Sequence, residues 1–213
     1  MKPYYQDKWV TIYLGDCREI LPQLDVKVDL VLTDLPYGNN TDYDRYEDTR
    51  DNLKKLIQTA LPLMLSQSER TLITCGVGNL WLYPEPDWLL LWISDAGIGS
   101  GKWGFCCWQP ILAYGKDPYL AGGLGRRPDL IISNERASDN KHPCAKPLSL
   151  WKQVIARATV STECIICDPM MGSGTTIEAA KALNYKVIGI EISEKYCEIA
   201  AKRCSQEVME LKV

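Results

Sequence analysis

The stretch that decides the fold is CIICDPMMGSGTT, Cys164 to Thr176, together with the run KVIGIE at 186–191. Cys164-Ile165-Ile166-Cys167 is a short apolar run of the kind that forms a buried strand. Asp168-Pro169-Met170-Met171-Gly172-Ser173-Gly174 breaks it with two glycines, which let a backbone bend sharply and approach a bound molecule closely. Thr175 then opens a predicted helix over 175–183, and a second apolar strand over 186–191 ends in Glu191. An acid about 20 residues past a glycine turn, at the end of the next strand, is placed to hold both ribose hydroxyls of a nucleoside. The unit lacks the third glycine of the dinucleotide fingerprint and has no Gly-Lys-Ser/Thr. That argues against a nicotinamide dinucleotide and against a nucleoside-triphosphate loop.

Working outward, strands are predicted over 10–14, 28–33, 70–75, 89–93, 110–114, 129–133, 163–167 and 186–191. Helices are predicted over 18–23, 51–65, 147–158, 175–183 and 193–206, with Ser193 as N-cap of the last. Short buried strands alternating with helices imply an α/β domain with a largely parallel sheet covered on both faces. The chain of 213 residues is long enough for one well-buried domain, and its apolar and charged fractions, 46% and 24%, are those of an ordinary globular protein. No apolar run approaches a membrane span, and MKPYYQDKWV has no apolar signal core, so a cytoplasmic protein is expected.

The nine cysteines do not read as a disulfide framework. Cys75, Cys106, Cys107, Cys164 and Cys167 sit in or beside apolar runs, where cysteine behaves as a small buried hydrophobe. Cys164 and Cys167 have CxxC spacing but are read as strand residues rather than a redox or zinc pair. His142 is the single histidine, and no metal site is expected.

A second unusual stretch is VDLVLTDLPYG, Val28 to Gly38. An apolar strand ends in Asp34-Leu35-Pro36-Tyr37, where a turn alone needs no aromatic residue. Near the start, Leu14-Gly15-Asp16-Cys17 places an acid between a strand and a helix. Asp16 there can cap the helix or accept from an adenine amino group, and the two roles are compatible.

Taken together, these segments resemble the DNA amino-methyltransferases that act on adenine N6 or cytosine N4. Asp34-Leu35-Pro36-Tyr37 is similar to their catalytic Asp-Pro-Pro-Tyr motif, with Leu35 in place of the first proline. Asp168 to Thr176 resembles their S-adenosylmethionine motif, and His142-Pro143-Cys144-Ala145-Lys146-Pro147 their His-Pro-x-x-Lys-Pro segment. The catalytic motif precedes the cofactor motif, which is the order of the β class. The resemblance covers nearly the whole chain, from about Gly15 to Tyr196.

The resemblance implies a circularly permuted, Rossmann-like, S-adenosylmethionine-dependent methyltransferase fold in a single domain over 1–213, with chain ends close together. It implies that Asp16, Cys17, Lys146, Asp168, Pro169, Met170, Gly172, Gly174, Thr175 and Glu191 hold the cofactor. Asp34 and the Leu35 carbonyl would accept from the two amino hydrogens of the target base, Pro36 would bias Leu35 towards an extended conformation, and Tyr37 would stack on the flipped base. The initial Asp favours adenine within the family. Double-stranded DNA is the expected partner, with no membrane and a possible homodimer. The alternatives are transfer to the cytosine 4-amino group, an RNA substrate, or a catalytically weakened DNA-binding protein on the same frame.

Target recognition is expected from the irregular middle, 95–141, which is rich in Gly, Trp and Pro and is read as loops. Net charge is −3, so positive charge for DNA must be local, and Lys102, Lys116, Arg126, Arg127 and Lys141 are the candidates. Trp103 and Trp108 are read as core or loop packing rather than base-stacking residues.

Overall fold

The computed structural model describes residues 1–95, 97–135 and 146–205. The chain opens with β1 (Tyr5–Gln6), β2 (Val10–Leu14), α1 (Cys17–Ile20), β3 (Val28–Asp34), α2 (Arg50–Gln67) and β4 (Ser68–Thr74). It continues through β5 (Trp88–Ile93), β6 (Gly99–Gly101), β7 (Gly104–Cys106), β8 (Trp108–Tyr114), α3 (Pro118–Ala121) and β9 (Leu130–Ile132). It closes with α4 (Leu148–Ala158), β10 (Ile165–Asp168), α5 (Thr175–Ala182), β11 (Lys186–Glu191) and α6 (Glu194–Ser205). Among the described residues the main sheet has nine strands in the order β1-β2-β11-β10-β3-β4-β8-β5-β9. The central pairs β2–β11, β11–β10, β10–β3 and β3–β4 are parallel, and β8 runs antiparallel to both β4 and β5.

Strand periodicity explains the layering. Leu30 and Leu32 of β3 point to one face, where they meet Leu150, Trp151, Val154 and Ile155 of α4 and the small residues of α5 and α6. Val31 points to the other, packed with Leu53, Ile57, Leu61 and Met64 of α2 and with Cys17 and Ile20 of α1. Both faces are therefore buried, so β3 is apolar almost throughout, as a central parallel strand requires.

The cofactor-type strands β10 and β11 come last in the chain but lie at the centre of the sheet, beside β2 and β3. This is the permuted order expected from the motif sequence. The first strands and the end of α6 meet, since Lys181 Nζ donates both to Asp7 Oδ2 and to the Cys204 carbonyl, each at 2.6 Å. Among the described residues, no helix is long and apolar enough to cross a membrane.

Most predicted elements lie within one or two residues of the observed ones. The exception is the middle, where GSGKWGFC forms the antiparallel hairpin β6–β7 instead of a loop. This corrects two expectations. Trp103 is fully exposed and Trp108 is 39% exposed, so neither is a core residue. Cys107 is exposed and Cys106 half-buried, because both leave the sheet at the base of the hairpin.

Candidate active site

Parallel strands β3, β10 and β11 end side by side, so Asp34, Asp168 and Glu191 project from one edge of the sheet. Ligands of open α/β sheets bind outside this carboxyl edge, where the chain winds away in opposite directions. A cavity of about 350 Å³ opens there. One wall is Gly15, Asp16, Cys17, Pro169, Met170, Gly172 and Glu191; Asp34 and Pro36 face it across the same space. The volume falls within the usual range for a small-molecule site, roughly 300–1,000 Å³.

The glycine turn is shaped as the spacing implied. Gly172 and Gly174 have φ of +52° and +87°, a region where other residues are strained. Glu191 is clamped by that turn: Gly172 N–H donates to Oε2 (3.0 Å) and Ser193 N–H to Oε1 (2.8 Å). Burial raises the Glu191 pKa, while these backbone donors oppose the rise. Asp16 does cap α1, accepting from Arg18 N–H at 2.8 Å, and its carboxylate is also paired with the Arg18 guanidinium at 2.5 Å. That pairing holds the Asp16 pKa below the ordinary carboxylate range.

Four of the expected cofactor residues lie outside the cavity wall. Asp168 is buried beneath it, accepting from Thr33 Oγ1 (2.8 Å) and Met170 N–H (3.1 Å), and burial pushes its pKa up to about 6. Gly174 packs against Ala200 of α6, and Thr175 is buried at the head of α5. These three shape the turn from behind. Lys146 reaches the Asp34 carboxylate, 2.5 Å from Oδ2, because the chain re-enters beside β3 just before α4.

Asp34 is held from three sides. Tyr37 Oη donates to Oδ1 at 2.8 Å, Thr74 Oγ1 donates to the same oxygen, and Lys146 takes Oδ2. Thr74 is there because β4 pairs with β3 in register, Asp34 opposite Thr74. Gln109 of β8 donates to the Tyr37 hydroxyl, Asn79 Nδ2 donates to the Tyr37 carbonyl at 2.7 Å, and Lys146 Nζ lies 4.9 Å from the Tyr37 ring centre. Burial, then the Asp34 charge, raises the Tyr37 pKa well above its ordinary value, so its hydroxyl stays a donor. Leu35, the departure from Pro-Pro, is 1% exposed and packs in the α2 core cluster.

Sequence reasoning missed the segment 38–49, which folds back over the cavity. Tyr43, Asp44, Arg45 and Tyr46 line it, Ser193 Oγ donates to Asp44 Oδ2 at 2.7 Å, and buried Asp48 gathers the N–H groups of Gly38, Asn39 and Thr41. The predicted Ser193 side chain therefore ties down this segment. The only sequence signal for it was the density of Tyr, Asp and Asn after the strand.

A protein-family model described as DNA methylase matches residues 76–202, more than half of the chain. The chain belongs to the DNA methylase family. The type II methyltransferase M2.MboI of Moraxella bovis is 36% identical over 95% of this chain and 91% of its own length. Several other curated type II methyltransferases match over only about a quarter of theirs. Among solved structures, that of the M1.HpyAVI–SAM complex superposes with a TM-score of 0.67 over 92% of this chain and all of that one, at 24% identity. The cytosine-N4-specific PvuII DNA methyltransferase gives a TM-score of 0.74 over 98% of this chain and 90% of that one, at 16% identity. These likenesses establish the methyltransferase fold.

The cavity suits the methyl donor of such an enzyme, S-adenosylmethionine. The Tyr46 hydroxyl in its wall is buried with no hydrogen-bond partner among the described residues, a group that a polar ligand would satisfy. Gly172 leaves room at the turn, and Pro169, Met170, Leu56 and Ile192 supply apolar surface.

The candidate DNA contacts do not converge. Lys102 lies on the turn of β6–β7, at the catalytic edge. Lys116, Arg126 and Arg127 line a different hollow, with Arg70, Asp87 and Trp88, at the starts of β4 and β5. That is the opposite edge of the sheet, because β8 carries the chain across its full width. Lys141 and His142 lie outside the described residues.

Proposed function

We propose that this DNA amino-methyltransferase acts on the 6-amino group of adenine in double-stranded DNA, on a base flipped out of the helix into the space beside Asp34. The observation that carries the reading is that Asp34 and Pro36 line the same cavity as Gly172 and Glu191, so an acceptor for an amino group and a cradle for the methyl donor share one space. When bound, S-adenosylmethionine supplies an electrophilic methyl group.

The chain's own residues do the rest. Glu191, Asp16 and the backbone at Gly172 would hold the donor's nucleoside part, with Met170 and Pro169 supplying apolar surface for it. An exocyclic amino group is a poor nucleophile because its lone pair is conjugated into the ring. Acceptors aimed at its hydrogens favour a pyramidal nitrogen and free that lone pair. A carboxylate offers about four lone-pair sites, and Tyr37, Thr74 and Lys146 use three on Asp34. The remaining site, on Oδ2, takes one amino hydrogen and the Leu35 carbonyl takes the other. Burial of the Leu35 side chain fixes that carbonyl by packing where the family motif has its first proline. Tyr37, held by Gln109 at its hydroxyl and by Asn79 at its backbone carbonyl, offers a ring face worth about 1–3 kcal/mol of base stacking towards the cost of flipping. The proton released on transfer passes to Asp34 Oδ2.

The test is transfer of labelled methyl to unmethylated duplex DNA, with mass spectrometry of the nucleosides and Asp34→Ala as control. The expected result is 6-methyladenine, falling at least about 100-fold in the variant while cofactor affinity is kept. A 4-methylcytosine product would keep the acceptor chemistry and overturn the choice of base. Absence of any methylated nucleoside would overturn the DNA substrate.

A further inference from the structure

We infer that the β6–β7 hairpin is a wedge that enters the duplex beside the flipped base, with Trp103 occupying the stack that the base leaves. This rests on the duplex-DNA reading above and assigns the residue that makes flipping possible.

The hairpin is rooted at the catalytic pocket. β5 ends and β8 begins at the carboxyl edge, where Ile93 pairs with Trp108, and the chain between them projects outward. Its base is closed by Ser94 N–H donating to the Cys107 carbonyl (2.9 Å) and Ile98 N–H to that of Cys106 (2.7 Å). Two residues past Cys107 is Gln109, which holds the Tyr37 hydroxyl. Anything resting on Tyr37 is therefore within reach of this ribbon. From Cys107 to the turn is four residues, a rise of roughly 13 Å, comparable with the width of a major groove, about 12 Å.

The shape is that of a thin blade. Gly101 pairs with Gly104, so Lys102 and Trp103 form the two-residue turn at the tip. Gly104 has φ +113°, and neither Gly99 nor Gly104 would bring a Cβ against another atom, while a Cβ at Gly101 would lie 3.1 Å from Cys106 Sγ; the three glycines keep the ribbon slim. Trp103 is fully exposed and Phe105 is 84% exposed. Among the described residues, nothing covers these two large aromatics at the end of the glycine ribbon. Proteins that kink or open a duplex insert apolar side chains of this kind between base steps.

Charge points to the same occupant. Residues 97–108 contain Lys102 and no acid, in a protein whose net charge is −3. The lysine beside the tryptophan is placed for a phosphate flanking the entry point.

The experiment compares single-turnover methyl transfer by wild type, Trp103→Ala and Trp103→Phe at saturating S-adenosylmethionine. The substrates are a duplex carrying the sequence methylated by the wild type and the same duplex with the target base mispaired. Loss of the stacking surface is expected to slow Trp103→Ala about 10- to 100-fold on the paired duplex. Mispairing removes much of the flipping cost and is expected to restore its rate, with Phe intermediate on the paired duplex and cofactor affinity equal in all three. Transfer by Trp103→Ala at the wild-type rate on paired DNA, or an equal loss on both duplexes, would overturn the wedge while leaving the methyltransferase reading intact. Failure of the wild type itself on every duplex would overturn that reading, and the wedge with it.

Discussion

Replacing Asp168 by asparagine should make the protein's stability less sensitive to pH between 4 and 6. Asp168 is 2% exposed, and burial raises its pKa to about 6 against the donors at Thr176, Thr33 and Met170. In the unfolded chain the same carboxyl titrates near 3.9. Between these values the folded state holds a proton that the unfolded state has released. Stability therefore falls as pH rises through this window, the reverse of a salt-bridged carboxylate. Two pKa units at 1.36 kcal/mol each amount to about 3 kcal/mol, fully present below pH 4 and gone above pH 6. Asparagine does not titrate, keeps an acceptor for Thr33 and Met170, and turns an amide N–H₂ towards Thr176, whose hydroxyl can accept. Whatever fixed cost that exchange carries is independent of pH. The quantity to measure is the unfolding free energy of Asp168→Asn minus that of the wild type, from urea titrations at pH 4, 5, 6 and 7. It should rise by about 2 kcal/mol across the series, because at pH 4 the unfolded carboxyl is already partly protonated. A difference that stays constant within about 1 kcal/mol, or falls, would refute the claim that Asp168 is buried at a cost in charge.

Gly174→Ala should be strongly destabilising: φ is +87° and the new Cβ would sit 2.7 Å from Ala200 Cβ. A left-handed residue costs about 1–2 kcal/mol and overpacking about 1–3, so denaturant unfolding should show a loss of about 2–5 kcal/mol. Lys146→Met separates two roles for that lysine. If its work is on Asp34, methyl transfer should fall by roughly 10- to 100-fold, the worth of a charged hydrogen bond, while the dissociation constant for S-adenosylmethionine is unchanged. A weakened cofactor affinity with intact turnover would return it to the cofactor wall.

The central strands were readable because they are buried on both faces, which leaves nearly unbroken apolar runs such as Val28–Asp34. The glycine turn and Glu191 were readable for a different reason: the geometry admits few residue types there. The hairpin was hidden by the same logic run backwards. Strand prediction detects alternation between a buried and an exposed face, and every residue of β6 is exposed while two of its three are glycine. Only the backbone pairing makes it a strand, and pairing leaves no trace in composition. Segment 38–49 was missed because its order comes from buried Asp48 collecting backbone N–H groups, a pattern that reads as an ordinary polar loop.

The basic residues show most clearly where linear reading fails. Lys102 and Lys116 are separated in the chain mainly by β8, yet a strand of seven residues spans roughly 23 Å and joins opposite edges of the sheet. Grouping them as one patch treated distance along the chain as distance in space. The same crossing strand solves a different problem. Because β8 runs antiparallel to β4, its beginning is at the catalytic edge, which brings Gln109 onto Tyr37 and sends the preceding hairpin out beside the pocket. A parallel strand in that position would enter at the far edge and place the hairpin there with it. The reversal of this one strand within a mostly parallel sheet is what joins the ribbon proposed to enter DNA to the residue proposed to receive the flipped base.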